Sequence, residues 1–213
     1  KDFDEISVYL LGFIWADGYL STLKNKYTIS IEIKTEDMKI IEPIMNFVGN
    51  WSNYTRQRKP NWSSVTRKYT YNKELWTYLS LKGYHDKTGA SACKILSVIP
   101  NYLKSYWWRG YFDGDGHIGK CIRTKTLKFT SSFEQDWTFV QNLSKDLNIK
   151  FTHSKGPTVK GKQSKMYCYK WDYINNFFNY IYPNGYDFGL KRKYDKFIET
   201  LTLSEGSCLK NRP

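Results

Sequence analysis

Apolar and polar residues follow one script twice along this chain. A run of apolar and small residues ends in Asp-Gly, first as LLGFIWADG over residues 10–18 and again as WRGYFDGDG over residues 108–116. Alternation follows each run. Tyr27, Ile29, Ile31 and Ile33 interleave with Thr28, Ser30, Glu32 and Lys34, and Leu127 and Phe129 interleave with Lys128 and Thr130, which is the period of a strand with one dry and one wet face. The period then becomes helical. Behind Glu36 and Asp37 come Ile40, Ile41, Ile44, Met45 and Val48, and behind Glu134 and Asp136 come Trp137, Val140 and Leu143. Acids in a first turn suit the positive end of the helix dipole.

A hairpin follows in each copy. Stretches 51–59 and 62–71 flank Pro60-Asn61, and stretches 148–155 and 164–171 flank the Gly156-Pro157 and Gly161-Lys162 turn region. A further helix, at about residues 72–81 and 172–182, runs to Gly83-Tyr84 and to Gly185-Tyr186. Segment 84–106 joins the copies, with Pro100 closing a helix before the second motif helix starts near Tyr102. The pattern predicts an α+β chain of two duplicated halves, residues 1–98 and 99–213, with four strands in each. No Ser/Gly-rich or charged low-complexity stretch separates them, which favours two tightly joined subdomains.

Gly12 and Ala16 in the first motif, and Gly110 and Gly114 in the second, stand four apart and line one helix face almost free of side chains. Two such faces can meet backbone to backbone and bring the last helical residues, Asp17 and Asp115, side by side. A carboxylate at a helix C-terminus already costs about 0.3–1 kcal/mol. Two pressed together call for a proton or a cation between them, and hard oxygen ligands suit Mg²⁺ or another divalent ion. The carbonyls of Ala16 and Gly114, unpaired at the helix ends, are candidate secondary ligands. Gly18 and Gly116 are expected to take the left-handed conformation of a helix C-cap. The bland alternative is a pair of ordinary helices ending in Asp-Gly turns, and the doubled small-residue spacing weighs against it.

Charge narrows the partner. The 213 residues include 33 Lys and Arg against 20 Asp and Glu, a net charge of +13, which suits a polyanion. No apolar run approaches the roughly 18 residues that span a bilayer, and no signal-type N-terminus is visible, so nucleic acid is expected in preference to a membrane. Cys93, Cys121, Cys168 and Cys208 form no CxxC pair, and the histidines are His85, His117 and His153. That scatter argues against a zinc site and a disulfide framework and is expected of a reducing, intracellular compartment.

The motif residues resemble the LAGLIDADG homing endonuclease family in its single-chain, two-motif form. Gly12, Ala16, Asp17 and Gly18 match its pattern, as do Gly110, Asp113, Gly114, Asp115 and Gly116. Trp15 departs from the sixth-position acid of the first copy, and Trp108 with Arg109 departs from the opening pair of the second, while both eighth-position acids are kept. The resemblance implies two pseudo-symmetric αββαββα subdomains with saddle-shaped antiparallel sheets, packed through the motif helices. It implies a monomeric, site-specific, metal-dependent endonuclease of intron homing that cuts both strands of a long asymmetric duplex target, with Mg²⁺ as cofactor and Ca²⁺ as a non-catalytic substitute. A maturase that binds intron RNA, or a non-cleaving nucleic-acid-binding protein on the same fold, is the alternative.

The resemblance also distributes roles. Asp17 and Asp115 are catalytic metal ligands. Lys87 and Lys191 are the basic residues expected near each site, with Lys34 and Lys120 as substitutes. Glu32 and Ser131 are expected to order water, and Asp113 to make a helix-end contact. For DNA, the expected face comprises Ser30, Glu32, Lys34, Arg56, Arg58, Arg67 and Lys68, then Lys120, Arg123, Lys125, Lys128 and Thr130. Laid in the major groove, their arginines suit guanine and their lysines phosphate.

Overall fold

The computed structural model describes residues 3–23, 25–57, 63–120, 125–158 and 161–202. Helix α1 (Glu5–Asp17) opens on a capping box in which the Asp4 carboxylate accepts from the Ser7 amide at 2.7 Å. The chain continues as β1 (Gly18–Leu23), β2 (Lys26–Lys34), α2 (Thr35–Val48), β3 (Ser52–Arg56), β4 (Val65–Thr70) and α3 (Lys73–Leu81). A 3₁₀ turn at Tyr84–Asp86 and one helical turn, α4 (Cys93–Leu96), lead to the second copy. That copy holds α5 (Lys104–Asp115), β5 (Gly116–Lys120), β6 (Lys125–Ser132), α6 (Thr138–Asp146), β7 (Thr152–Thr158), β8 (Gly161–Cys168), α7 (Trp171–Ile181) and α8 (Lys191–Thr202).

Each half builds one antiparallel four-stranded sheet, ordered β1-β2-β4-β3 and β5-β6-β8-β7. Their registers repeat too. Gly18 lies opposite Ile31 and Ser30 opposite Tyr69, and 98 residues on, Gly116 lies opposite Phe129 and Lys128 opposite Tyr167. The duplicated αββαββα plan that the resemblance implies is the plan of the molecule.

Helices α1 and α5 are buried almost all round, over Val8–Trp15 and Ser105–Asp113, as expected of helices without a polar face. Arg109 is a buried charge inside α5. Its Nε donates to the Ile181 carbonyl at 2.7 Å, its guanidinium pairs with Asp187, and the rings of Tyr106, Tyr182 and Phe188 lie within about 5 Å of it. Carboxylate and aromatic faces together compensate its lost hydration.

The crossing of α1 and α5 is set by glycine. A Cβ on Gly12 would stand 1.9 Å from the Trp107 carbonyl oxygen, and one on Gly110 would stand 2.0 Å from the Tyr9 oxygen. Both obstacles are backbone, so no rotamer change relieves them.

Several expectations need correction. Gly18 and Gly116 are extended, with φ of −77° and −74°, and not left-handed. Glycine is needed there for space, because each helix passes directly into a strand and a Cβ would meet Ile14 O at 2.4 Å or the Phe112 ring at 2.1 Å. Gly156-Pro157 is not a turn but part of β7, paired with Gln163 and Lys162; β7 is an edge strand, where a missing amide is tolerated. Helix α6 starts at Thr138, so Glu134 and Asp136 precede it, and the Asp136 carboxylate accepts from the Thr138 amide at 2.7 Å. Helix α8 adds an element beyond the predicted pattern; Leu190, Tyr194, Phe197 and Leu201 carry its helical spacing.

Gly12→Ala and Gly110→Ala should each lower stability by an amount at or above the upper end of the about 1–3 kcal/mol typical of overpacked cores. Urea unfolding of the variants measures this, and a change within about 0.5 kcal/mol would contradict the backbone contact.

Candidate active site at the helix junction

Because α1 and α5 cross at their glycines, their C-termini meet. A Cβ on Gly114 would stand 2.3 Å from the Ala16 Cβ and 2.9 Å from Asp17 Oδ2, so the Asp17 carboxylate lies against the residue that precedes Asp115. Both acids are half-buried. Burial raises the Asp17 pKa, and Lys87 and Lys193 pull it back. Asp115 is pushed up to about 7, by burial first and by the Asp17 charge second. Among the described residues neither carboxylate accepts a hydrogen bond. Two oxygen-rich groups that repel one another and lack donors are the surroundings in which a hard divalent cation is favoured. No group of three or more His, Cys, Asp or Glu side chains that could hold a metal ion converges among the described residues; the junction offers the two carboxylates of Asp17 and Asp115.

A lysine stands at each helix end. Lys87 Nζ donates to the carbonyls of Ala16 at 3.1 Å and Gly18 at 2.6 Å, with Ile14 O at 3.5 Å. Lys193 Nζ donates to the carbonyls of Phe112, at 3.4 Å, and Gly116. Ile14 and Phe112, like Gly18 and Gly116, are 98 residues apart, so the two lysines occupy duplicate places. Each neutralises the negative end of a motif helix. Burial lowers both lysine pKa values, while Asp17 and Asp115 act to raise them.

Of the expected basic residues the structure brings Lys87 to the junction and leaves Lys191 outside. Lys191 is exposed and paired with Asp195 at 2.6 Å on the surface of α8. A helix turns about 100° per residue, so the residue of α8 that faces the junction is Lys193. The duplication hides this, because Lys87 follows a 3₁₀ turn while Lys193 sits on a regular helix. Ala16 O, an expected metal ligand, is shared with Lys87.

Asp113 stays inside. Its Oδ2 accepts from Tyr9 Oη at 2.6 Å and from the Leu190 amide at 2.8 Å, while Oδ1 is buried with no partner among the described residues. Burial pushes its pKa to about 6. The helix-end contact expected of it is thus a tie between α1, α5 and the chain entering α8.

Strand alternation sorts the expected DNA face. Ser30, Glu32 and Lys34 share one face of β2 with Arg67 of β4 and Arg56 of β3. Arg67 donates to Ser30 Oγ at 2.8 Å, and Arg56 donates to both Glu32 oxygens at 3.1 Å. Lys128 and Thr130 share the matching face of β6. Lys68 does not belong there, since as the neighbour of Arg67 it turns to the helix side and is buried against Glu42. Lys125 likewise has the parity of Leu127 and Phe129, and its Nζ lies 3.5 Å from the Leu201 carbonyl and over the Trp171 ring. Ser131 also turns inward, donating to Gln135 Oε1 at 2.8 Å. Arg58 and Arg123 lie outside the described residues, as does the side chain of Lys120. Tyr19 and His117, next to the motif glycines, are exposed on the outward faces opposite Ser30 and Lys128. Their offset of 98 residues was the signal that could have found them.

Residues 103–182 match the family described as LAGLIDADG-like domain. No curated protein matches the chain. Among solved structures the chain is similar to the LAGLIDADG meganuclease I-CpaMI bound to uncleaved DNA, at 12% identity and a TM-score of 0.61 over 95% of this chain and 92% of that one. It is similar to I-SmaMI bound to an uncleaved DNA target in the presence of calcium ions, at 12% identity and a TM-score of 0.56 over 95% and 90%. It is also similar to the LAGLIDADG homing endonuclease I-LtrWI bound to target DNA, at 11% identity and a TM-score of 0.56 over 93% and 90%. At these identities the likeness is one of fold.

The raised carboxyl pKa values give stability a definite pH dependence. The folded state keeps a proton on Asp115 that the unfolded chain loses near about pH 4, so this contribution is complete below that pH and is lost as pH rises through about 7. Thermal unfolding in chelator should therefore show stability falling over this window. Asp115→Asn should flatten the upper part and leave the step near about 6 that belongs to Asp113. A flat profile in the parent protein would contradict the crowding of the two acids.

Proposed function

We propose that the chain is a two-motif LAGLIDADG protein and, on that reading, a divalent-metal-dependent endonuclease that cuts both strands of a long, asymmetric DNA duplex. The observation that carries this reading is the pair of half-buried acids at the helix junction, each with a lysine at its helix end. Asp17 and Asp115, with the carbonyls of Ala16 and Gly114 as secondary ligands, would hold the cation. A cation bound there would supply activation of water and stabilisation of charge on phosphate.

The chain's own residues do the rest. Burial favours dehydration of the junction, and the strength of every charge interaction rises with it. Lys87 and Lys193 offset the negative helix ends and present a positive charge to the developing charge of each scissile phosphate, one lysine for each strand. The outward sheet faces, with Arg67 and Arg56 on one side and Lys128 and Thr130 on the other, suit adjacent stretches of major groove. The two faces differ in sequence, so the site they read is asymmetric. The two halves, residues 1–98 and 99–213, each supply one face, one acid and one lysine. The charge of +13 supports a salt-sensitive, polyanionic partner.

The test is selection of cleaved sites from a randomised duplex library with Mg²⁺. The parent should yield a single asymmetric target cut on both strands, and Asp17→Asn and Asp115→Asn should each lose at least about a hundredfold in rate while still binding the duplex in Ca²⁺. Cutting that survives both substitutions would refute the roles given to them. On the recovered target, Arg67→Ala should weaken binding by about 1–3 kcal/mol, whereas Lys68→Met should leave affinity unchanged in fluorescence anisotropy; the reverse order would overturn the assignment of faces.

A further inference from the structure

We propose that the two halves position each other's lysine, the first half through Asp37 and the second through Gln135. This rests on the nuclease reading above and adds to it how the two lysines are kept in register with the acids.

Asp37 and Gln135 are duplicates, 98 residues apart, and both are buried polar residues at the corner between a half's second strand and its next helix. Among the described residues neither bonds within its own half's lysine segment. From the first turn of α2, the Asp37 carboxylate receives two parallel hydrogen bonds from Arg192 of the other half, Nε to Oδ1 and Nη2 to Oδ2, both at 2.6 Å. A bidentate pair of this kind fixes orientation as well as distance. Arg192 precedes Lys193, so the clamp sets the rotation and height of the first turn of α8, the turn that carries Lys193 to the carbonyls of Phe112 and Gly116.

The second corner does the same with neutral groups. Gln135 Nε2 donates to the Lys87 carbonyl at 3.0 Å, and the Asp136 amide donates to the Thr88 carbonyl at 3.3 Å. Ser131 donates to Gln135 Oε1 at 2.8 Å, which leaves the amide of Gln135 turned toward Lys87. The segment that presents Lys87 to α1 is therefore gripped from the second half. The Asp37 corner also sits close to the acids, since Asp37 and Arg192 each act on the charge of Asp17. A crosswise arrangement has a consequence that parallel bracing lacks, because neither lysine reaches its place unless the other half is docked.

Asp37 and Gln135 are positioning residues, and the test separates positioning from general stability. Single-turnover cleavage of the selected duplex, labelled with a different dye on each strand, should show Asp37→Asn slowing one strand by roughly tenfold to a hundredfold and Gln135→Ala slowing the opposite strand to a similar extent. Arg192→Lys, which keeps the charge and loses the fork, should slow the same strand as Asp37→Asn by less, and it serves if Asp37→Asn fails to fold. A second reading needs no cleavage: acetylation of lysines by an N-hydroxysuccinimide ester, mapped by mass spectrometry, should quicken at Lys193 alone in Asp37→Asn and at Lys87 alone in Gln135→Ala. Equal slowing of both strands, equal acetylation of both lysines, or no change overturns the proposal. A parent protein that cuts no duplex but shows lysine-selective acetylation in the variants would instead overturn the nuclease reading and leave the bracing in place.

Discussion

The contact of two bare backbones, Gly12 against Trp107 and Gly110 against Tyr9, is the constraint from which the rest of the molecule follows. It brings two helix ends closer than side chains would allow, and the helix ends carry the acids. Everything that would ordinarily keep two carboxylates apart is overridden by burial of the large aromatic and aliphatic residues around that crossing, among them Tyr9, Phe13, Trp107, Tyr111 and Phe112. At about 25 cal/mol per Å² of apolar surface, such a cluster outweighs an electrostatic penalty of a few kcal/mol at its edge.

Crowding the acids is tolerable because their surroundings are arranged for it twice. Each motif helix ends on a lysine that takes the carbonyls left open at its last turn, and each lysine segment is held by the opposite half. The duplication is therefore one of place and not of structure. In one half the lysine follows a 3₁₀ turn and is gripped through its backbone by an amide; in the other it rides on a helix and is gripped through the neighbouring arginine by a carboxylate. Two solutions to the same geometric demand are what a duplicated and then diverged chain would retain.

The strongest signals in the sequence were those with strict spacing. The apolar and glycine periodicity of the motifs, the alternation of Tyr27 to Lys34, and the repetition at 98 residues were enough for the α+β plan, the two sheets and the meeting of Asp17 with Asp115. What sequence could not supply was orientation. Lys191 and Lys193 are two positions apart, and only the start of α8 decides which faces the junction. Arg67 and Lys68 are adjacent, and strand alternation puts them on opposite sides, so a basic cluster in sequence is not a basic cluster in space. Gly18 and Gly116 were read for conformational freedom when the need was room, because the clash that forbids a side chain is with the preceding helical turn. The cross-half ties of Asp37 and Gln135 join residues far apart in the chain, and no local pattern announces them.

Whether the two acids share one cation is the claim on which the account stands. Anomalous diffraction from crystals of the protein on its selected duplex, grown with Mn²⁺, addresses it directly. A peak is expected within about 2.2 Å of a carboxylate oxygen from both Asp17 and Asp115. Peaks bound to one acid alone, or no peak at the helix junction, would contradict it.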